Sequence, residues 1–137
     1  MTQDNGCMAA HRGWRGEALL TAELKLRPPS KNDVFPLAKI ANDEQIASWT
    51  AELPHPYNAH DAEEFVSKSA QGKAQGDEIA LVIERLADGE LVGAISLSIE
   101  DRQGRLGYWI GRQFWKRGYA TQAARRMVRL AFQALDL

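Results

Sequence analysis

The run Lys116-Arg117-Gly118-Tyr119-Ala120-Thr121 places a glycine, two cations and a hydroxyl where a strand pattern gives way to a helical one. The first N–H groups of a helix have no intrahelical acceptor, and its dipole is positive at that end. An anionic phosphate is the natural ligand for such an array. Gly118 lets a ligand approach the backbone, Ala120 is nearly as small, and the Thr121 hydroxyl is a further donor. These are the parts of a pyrophosphate cradle, and equally of an ordinary strand-to-helix turn that needs a glycine. A P-loop is excluded because no Gly-x-x-x-x-Gly-Lys-[Ser/Thr] run occurs, and a dinucleotide fingerprint fails because Gly118 stands alone in the turn.

Other reactive groups are scattered. Glu84, Glu100, Asp101 and His55 are the candidates for a general base, each equally a solvated strand-end charge or loop residue, so no catalytic residue is assigned. His55 and His60 stand near Asp61, Glu63 and Glu64, but two histidines at loose spacing without a third committed ligand do not make a metal site. Turn packing and helix capping account for them, and no metal is expected. Trp14, Trp49, Trp109 and Trp115 read as packing groups. The lone cysteine, Cys7, excludes an internal disulfide and a Cys-x-x-Cys site.

The elements that must position the turn follow from periodicity. Ala22 to Leu26 alternates as a strand and is stopped by Pro28 and Pro29. Ser30 or Asn32 can cap a helix carrying Val34, Leu37, Ala38 and Ala41, and a shorter helix holds Ile46, Trp49 and Leu53. Asp61-x-x-Glu64 resembles a capping box that opens a third helix, closed by Gly72 and Gly76. The period then drops to two. Ile79 to Ile83, Leu91 to Ile99 and Leu106 to Ile110 form an antiparallel meander turning at Asp88-Gly89 and Gln103-Gly104. From Gly118 a helix carries Ala120, Ala123, Ala124, Met127, Val128, Ala131 and Leu135 on one stripe, with Arg125, Arg126 and Arg129 on its solvated face.

The 137 residues suit one domain: a loose arm over 1–21 and a folded unit over 22–137. Seventeen basic and eighteen acidic residues cancel, so a broad attraction to nucleic acid or an anionic membrane is not expected. The apolar runs fall far short of the ~20 residues that span a bilayer, and residues 1–16 have no signal-like apolar stretch. The expected compartment is the cytoplasm.

Trp115-x-x-Gly118-x-Ala120-Thr121 following Gly107-Tyr108-Trp109-Ile110 resembles the acetyl-CoA signature of the GNAT superfamily, and more narrowly that of its RimJ/RimL-like branch, which includes the ribosomal-protein alanine N-acetyltransferases. Leu26-Arg27-Pro28, Pro54-His55-Pro56-Tyr57 and Leu91-Val92-Gly93 are similar to that branch as well, so the likeness covers about Ala22 to Leu137. Lys116 stands where a glycine is frequent, which is tolerable if that residue needs no positive φ, and Gln122 replaces the usual glutamate.

The resemblance implies an α/β (α+β) fold with a mixed, mostly antiparallel sheet flanked by helices. It implies acetyl transfer from acetyl-CoA to a primary amine by direct attack, the acceptor being a protein N-terminus or a small-molecule amine. It puts the pantetheine arm and acetyl carbonyl on the backbone of Trp109, Ile110 and Gly111, and the pyrophosphate on Lys116, Arg117, Gly118, Tyr119, Ala120 and Thr121. Tyr57 would border the acceptor pocket or cap the core. The resemblance also implies a further strand, a helix and a closing strand pair after the motif helix, so a chain ending at Leu137 is expected to lack the carboxy-terminal part of the fold. An open sheet edge then predicts a homodimer. The alternative is a non-catalytic remnant that binds CoA or another protein.

Overall fold

Ile79, Leu81 and Ile83 point to one face of a strand whose other face carries Ala80 and Val82, and all five are buried. A strand covered on both sides must lie in the middle of a layered domain. The computed structural model describes residues 14, 16–49, 56–75, 78–101 and 103–133, and within them this strand is the centre of a five-stranded sheet. The strands are β1 (Leu19–Leu20), β2 (Leu24–Arg27), β3 (Glu78–Arg85), β4 (Leu91–Glu100) and β5 (Gln103–Ile110). They lie side by side in chain order, and every pairing among them is antiparallel.

Among the described residues four α-helices cover the sheet: α1 (Val34–Ala41), α2 (Glu44–Trp49), α3 (Ala59–Gln75) and α4 (Tyr119–Gln133). The α4 stripe of Ala123, Met127, Leu130 and Ala131 packs with Leu24, Leu26, Ile79, Leu81, Ile83, Val92, Ile95 and Leu97 on one face. Val34, Leu37 and Ala41 of α1, Ile46 of α2 and Ala62 of α3 pack with Val82, Ala94 and Trp109 on the other.

Several boundaries differ from the sequence expectation. The segment expected to be a loose arm contributes β1, and Trp14 is buried in the core with only 3% exposure. β2 starts at Leu24 rather than Ala22, because the Thr21 hydroxyl accepts the Leu24 N–H at 2.9 Å while the Thr21 N–H donates to the Leu24 carbonyl at 2.9 Å, a side-chain-assisted turn. The capping box lies three residues earlier than expected. Asn58 Oδ1 accepts the Asp61 N–H at 3.1 Å, and Asp61 Oδ2 accepts the Asn58 N–H at 3.0 Å, so α3 opens at Ala59. α3 also runs through Gly72 to Gln75, since an interior glycine costs only about 1 kcal/mol and need not end a helix.

The second hairpin closes with Glu100 opposite Gln103 and Asp101 at φ 51°, so Gln103 and Gly104 belong to β5 instead of the turn. The first hairpin turns at Asp88-Gly89 as expected, with Gly89 at φ 74°. Cys7, Leu53, Pro54, His55, Gly76 and Leu135 lie outside the described residues.

Candidate functional site

β5 and the start of α4 wall a cavity of about 670 Å³. Of the residues singled out in the sequence, Trp109, Ile110, Lys116, Gly118, Tyr119, Ala120 and Thr121 line it. Gly111 and Arg117 adjoin the lining without forming part of it. Leu106, Gly107, Tyr108, Phe114, Trp115 and, from α2, Ile46 complete the wall.

The ladder decides which backbone groups of β5 face away from β4. The Gly111 N–H donates to the Val92 carbonyl at 2.7 Å, and β4 runs in continuous register with β5 from Gly93 opposite Ile110 to Glu100 opposite Gln103. In an antiparallel pair, alternate residues exchange both hydrogen bonds. Gly111 and Trp109 are therefore turned toward β4, while Ile110 and Tyr108 direct their N–H and C=O groups to the other side. Among the described residues no strand pairs on that side. The Ile110 carbonyl is taken by the indole N–H of Trp115 at 2.7 Å, which leaves the Ile110 N–H as the outward donor at the end of the strand. Gly111 is otherwise occupied too, its carbonyl accepting the Phe114 N–H at 2.8 Å.

At the other end of the cavity the chain leaves β5 through a 3-10 turn (Arg112–Phe114) and enters α4. Lys116 has φ 67° and Gly118 φ 79°, both left-handed. The expectation that Lys116 needs no positive φ is therefore corrected, and a lysine there is strained by about 1 kcal/mol. A Cβ built on Gly118 would meet no atom of this chain within 4 Å, so the space beside this glycine is open. The Gly118 carbonyl receives the first helical hydrogen bond, from the Gln122 N–H at 3.0 Å. The N–H groups of Tyr119, Ala120 and Thr121 thus lie in the first turn, ahead of any helical acceptor, on the cavity wall. Lys116 supplies charge at the same place.

The turn is braced from below. Phe114 and Tyr119 are both buried, and the Arg85 guanidinium lies over the Phe114 ring, 5.1 Å from its centroid. Hydrogen bonds to Asp88, and secondarily to Tyr119, hold the Arg85 pKa above its ordinary value. Arg85 bonds Asp88 Oδ2 at 2.7 Å and Glu90 Oε1 at 3.0 Å within the first hairpin, so the guanidinium that lies over Phe114 of the cavity wall is itself held in place.

None of the described base candidates lines the cavity. Glu84 accepts the Arg27 Nε–H at 2.7 Å, and Glu100 and Asp101 sit at the exposed tip of the second hairpin. Tyr57 packs with the α1 and α3 residues and Trp109, so it caps the core; burial, with the nearby Asp61 charge, pushes its phenol up to about 12. His60 is exposed, with Nε2 3.6 Å from Glu64 Oε2, one turn along α3. Among the described residues no three metal-ligating side chains gather.

Sequence reasoning missed the Trp115–Ile110 bond and the Ile46 wall. The first was signalled only by a tryptophan opening the motif. Ile46 had no signal, because it comes from a helix some sixty residues upstream of the strand it faces.

Residues 23–137 match the acetyltransferase (GNAT) domain family, and the chain belongs to that family. It is 30% identical over 101 residues to YdaF of Bacillus subtilis (strain 168), a candidate ribosomal N-acetyltransferase; the match takes in 72% of this chain and 55% of YdaF. The chain thus spans little more than half the length of that relative. Among solved structures, Mycobacterium smegmatis RimJ in complex with CoA-disulfide superposes with a TM-score of 0.77 at 21% identity, over 93% of this chain and 66% of that one. RimL, a ribosomal L7/L12 α-N-protein acetyltransferase solved with coenzyme A, superposes with a TM-score of 0.72 at 18% identity, over 82% of this chain and 66% of that one. At those identities the structural likeness carries the fold.

Proposed function

We propose that this domain binds acetyl-CoA in the β5–α4 cavity and transfers the acetyl group to a primary amine, a protein N-terminus or a small-molecule amine. The observation that carries the reading is that one cavity joins two unspent donor sets, the outward Ile110 N–H and the first-turn N–H groups of α4. Coenzyme A has matching chemistry: a thioester carbonyl needs one polarising donor and a pyrophosphate needs several. The relatives RimJ and RimL were solved with CoA forms, which supports that ligand here. YdaF, a candidate ribosomal N-acetyltransferase, and RimL, a ribosomal L7/L12 α-N-protein acetyltransferase, support a protein amine as acceptor.

In this reading Lys116, Arg117, Gly118, Tyr119, Ala120 and Thr121 hold the pyrophosphate, and Trp109 and Ile110 line the pantetheine arm, with Gly111 supporting them from beside the cavity and the Ile110 N–H on the acetyl oxygen. The amine nitrogen attacks the thioester carbonyl, the C–S bond breaks, the nitrogen gives up a proton and the thiolate takes one. The domain works in the cytoplasm as a homodimer.

A second reading, a CoA-binding module without catalysis, draws on the position of Glu84, Glu100 and Asp101 away from the cavity. One experiment separates the two. The chain is titrated with acetyl-CoA, desulfo-CoA and ATP, then assayed for thiol release with peptides bearing free amino termini. Saturable binding of both CoA forms with weak ATP binding is expected, followed by amine-dependent thiol release. Binding without release selects the module, and no binding by the folded chain removes acetyl transfer and CoA binding and leaves the remnant that binds another protein.

A further inference from the structure

Asp43 stands between α1 and α2 and does two things with one carboxylate. Its Oδ1 accepts the Gln45 N–H at 2.9 Å and its own carbonyl accepts the Ala47 N–H at 3.0 Å, which makes it the N-cap of α2. Its other oxygen, Oδ2, lies 3.0 Å from Nε of Arg112, the residue that follows Gly111 at the end of β5. The pair therefore joins the start of α2 to the turn at the acetyl end of the cavity. What it joins matters, because α2 has only six residues and such a helix does not hold itself in place. Its placement rests on tertiary ties: Ile46, 2% exposed and part of the cavity wall, and the Asp43–Arg112 pair. Next to Asp43, Asn42 Oδ1 accepts the Tyr57 N–H at 2.9 Å, fixing the other end of the same junction to the start of α3.

We propose that Asp43 and Arg112 are positioning residues: their ion pair holds α2 against the end of β5 and so sets the wall past which the amine reaches the acetyl end of the cavity. This rests on the acetyl-transfer reading above for its consequence, but not for its geometry. The pyrophosphate end, built from residues 116–121, takes no part in the pair. Loosening it changes access for the amine and leaves the hold on acetyl-CoA intact. The Asp43 side chain is 20% exposed and that of Arg112 53%, so the effect is of the modest size that partly exposed pairs supply, and it fades as salt screens the charges.

The test uses the full chain and two variants that spare the cap. Asp43→Asn keeps an N-cap side chain and removes the charge, and Arg112→Gln removes the other partner. Amide hydrogen exchange is followed across residues 44–49, acetyl-CoA affinity is measured by calorimetry, and thiol release is assayed with a peptide bearing a free amino-terminal alanine. Each single variant is expected to speed exchange in α2 about threefold, with the double variant no faster than either single. Raising salt to about 0.5 M should bring the native chain to the same exchange rate and leave the variants unmoved. The acetyl-CoA Kd should stay within about twofold, while KM for the peptide rises about threefold and kcat holds.

Unchanged exchange in α2, or additive effects of the two substitutions, overturns the positioning role. An equal weakening of acetyl-CoA binding overturns the assignment to the amine side. If the native chain releases no thiol with any amine, the acetyl-transfer reading fails, and the exchange measurements still decide whether the pair holds α2.

Discussion

The indole N–H of Trp115 donates to the carbonyl of Ile110 at 2.7 Å, across the turn that carries the chain from β5 toward α4. That bond satisfies the last outward carbonyl of the strand and leaves the N–H of the same residue as the donor there. It also fixes Trp115, whose ring packs against both core clusters, immediately before the left-handed Lys116. Trp115→Phe keeps most of the ring and strands the carbonyl. It should cost about 1–2 kcal/mol of stability, read from urea unfolding, because a partly buried acceptor loses its partner. It should also weaken acetyl-CoA binding by several-fold, since the turn loses its tether. A variant as stable as the parent, with unchanged affinity, would show that the bond positions nothing.

Lys116 joins charge and strain in one residue, and two substitutions take them apart. Lys116→Gly relieves the left-handed backbone and should raise stability by up to about 1 kcal/mol, by a higher Tm. Lys116→Ala retains the strain and should leave Tm near that of the parent. Both lose the ammonium group. If backbone N–H groups dominate the hold on the pyrophosphate, both weaken acetyl-CoA binding only modestly. Loss of all binding in both would transfer that role to the lysine side chain.

Gly118 separates backbone conformation from ligand space. Its φ of 79° makes Gly118→Ala unfavourable by about 1 kcal/mol whatever surrounds it. No atom of this chain stands within 4 Å of the added methyl, so clash inside the fold contributes nothing. Any loss of acetyl-CoA affinity beyond that expected from the small stability change then reports bulk placed where the ligand lies. Gly118→Trp should abolish binding while the far-ultraviolet circular dichroism stays that of the folded chain. Retained affinity in the tryptophan variant would remove the cradle from this turn.

Local signals in the sequence were reliable where the structure they specify is local. Asp88-Gly89 fixes its hairpin, and Ala123, Met127 and Ala131 of the α4 stripe read directly from its period, although Val128 turns out exposed and Leu130 takes its place in the core. Around Asn58 the spacing was ambiguous, because Asn58-x-x-Asp61 and Asp61-x-x-Glu64 both fit a capping box, and hydrogen bonds to two backbone N–H groups chose the first. β1 was invisible for another reason. Two leucines have no period, and they form a strand only because β2 lies alongside. The cavity divides in the same way: the turn at 115–121 is contiguous and legible, whereas the Ile46 wall exists only after α2 folds back onto the sheet.

Arg27 and Asp33 give the fold a defined acid limit. The Arg27 guanidinium meets Asp33 through both carboxylate oxygens, each at 2.9 Å, and Glu84 through Nε at 2.7 Å. Asp33 is 4% exposed, and its Oδ2 also accepts the Ser30 N–H at 2.7 Å. Burial alone would push its carboxyl up, but Arg27 and the Ser30 N–H together outweigh burial and hold it below its ordinary value of 3.8. Between those two values the unfolded chain binds a proton that the folded chain refuses. The stabilisation is therefore complete above pH 3.8 and is lost as the pH falls through the lower, folded value. Asp33→Asn keeps an acceptor for Ser30 and removes the charge. It should cost about 2–3 kcal/mol at neutral pH, somewhat less than for a fully buried pair because part of Arg27 reaches water. Urea midpoints measured from pH 7 downward test both parts: the parent should lose more stability below pH 3.8 than the variant, so that the two curves converge in acid. Parallel curves over the whole range would show that this pair carries none of the acid sensitivity.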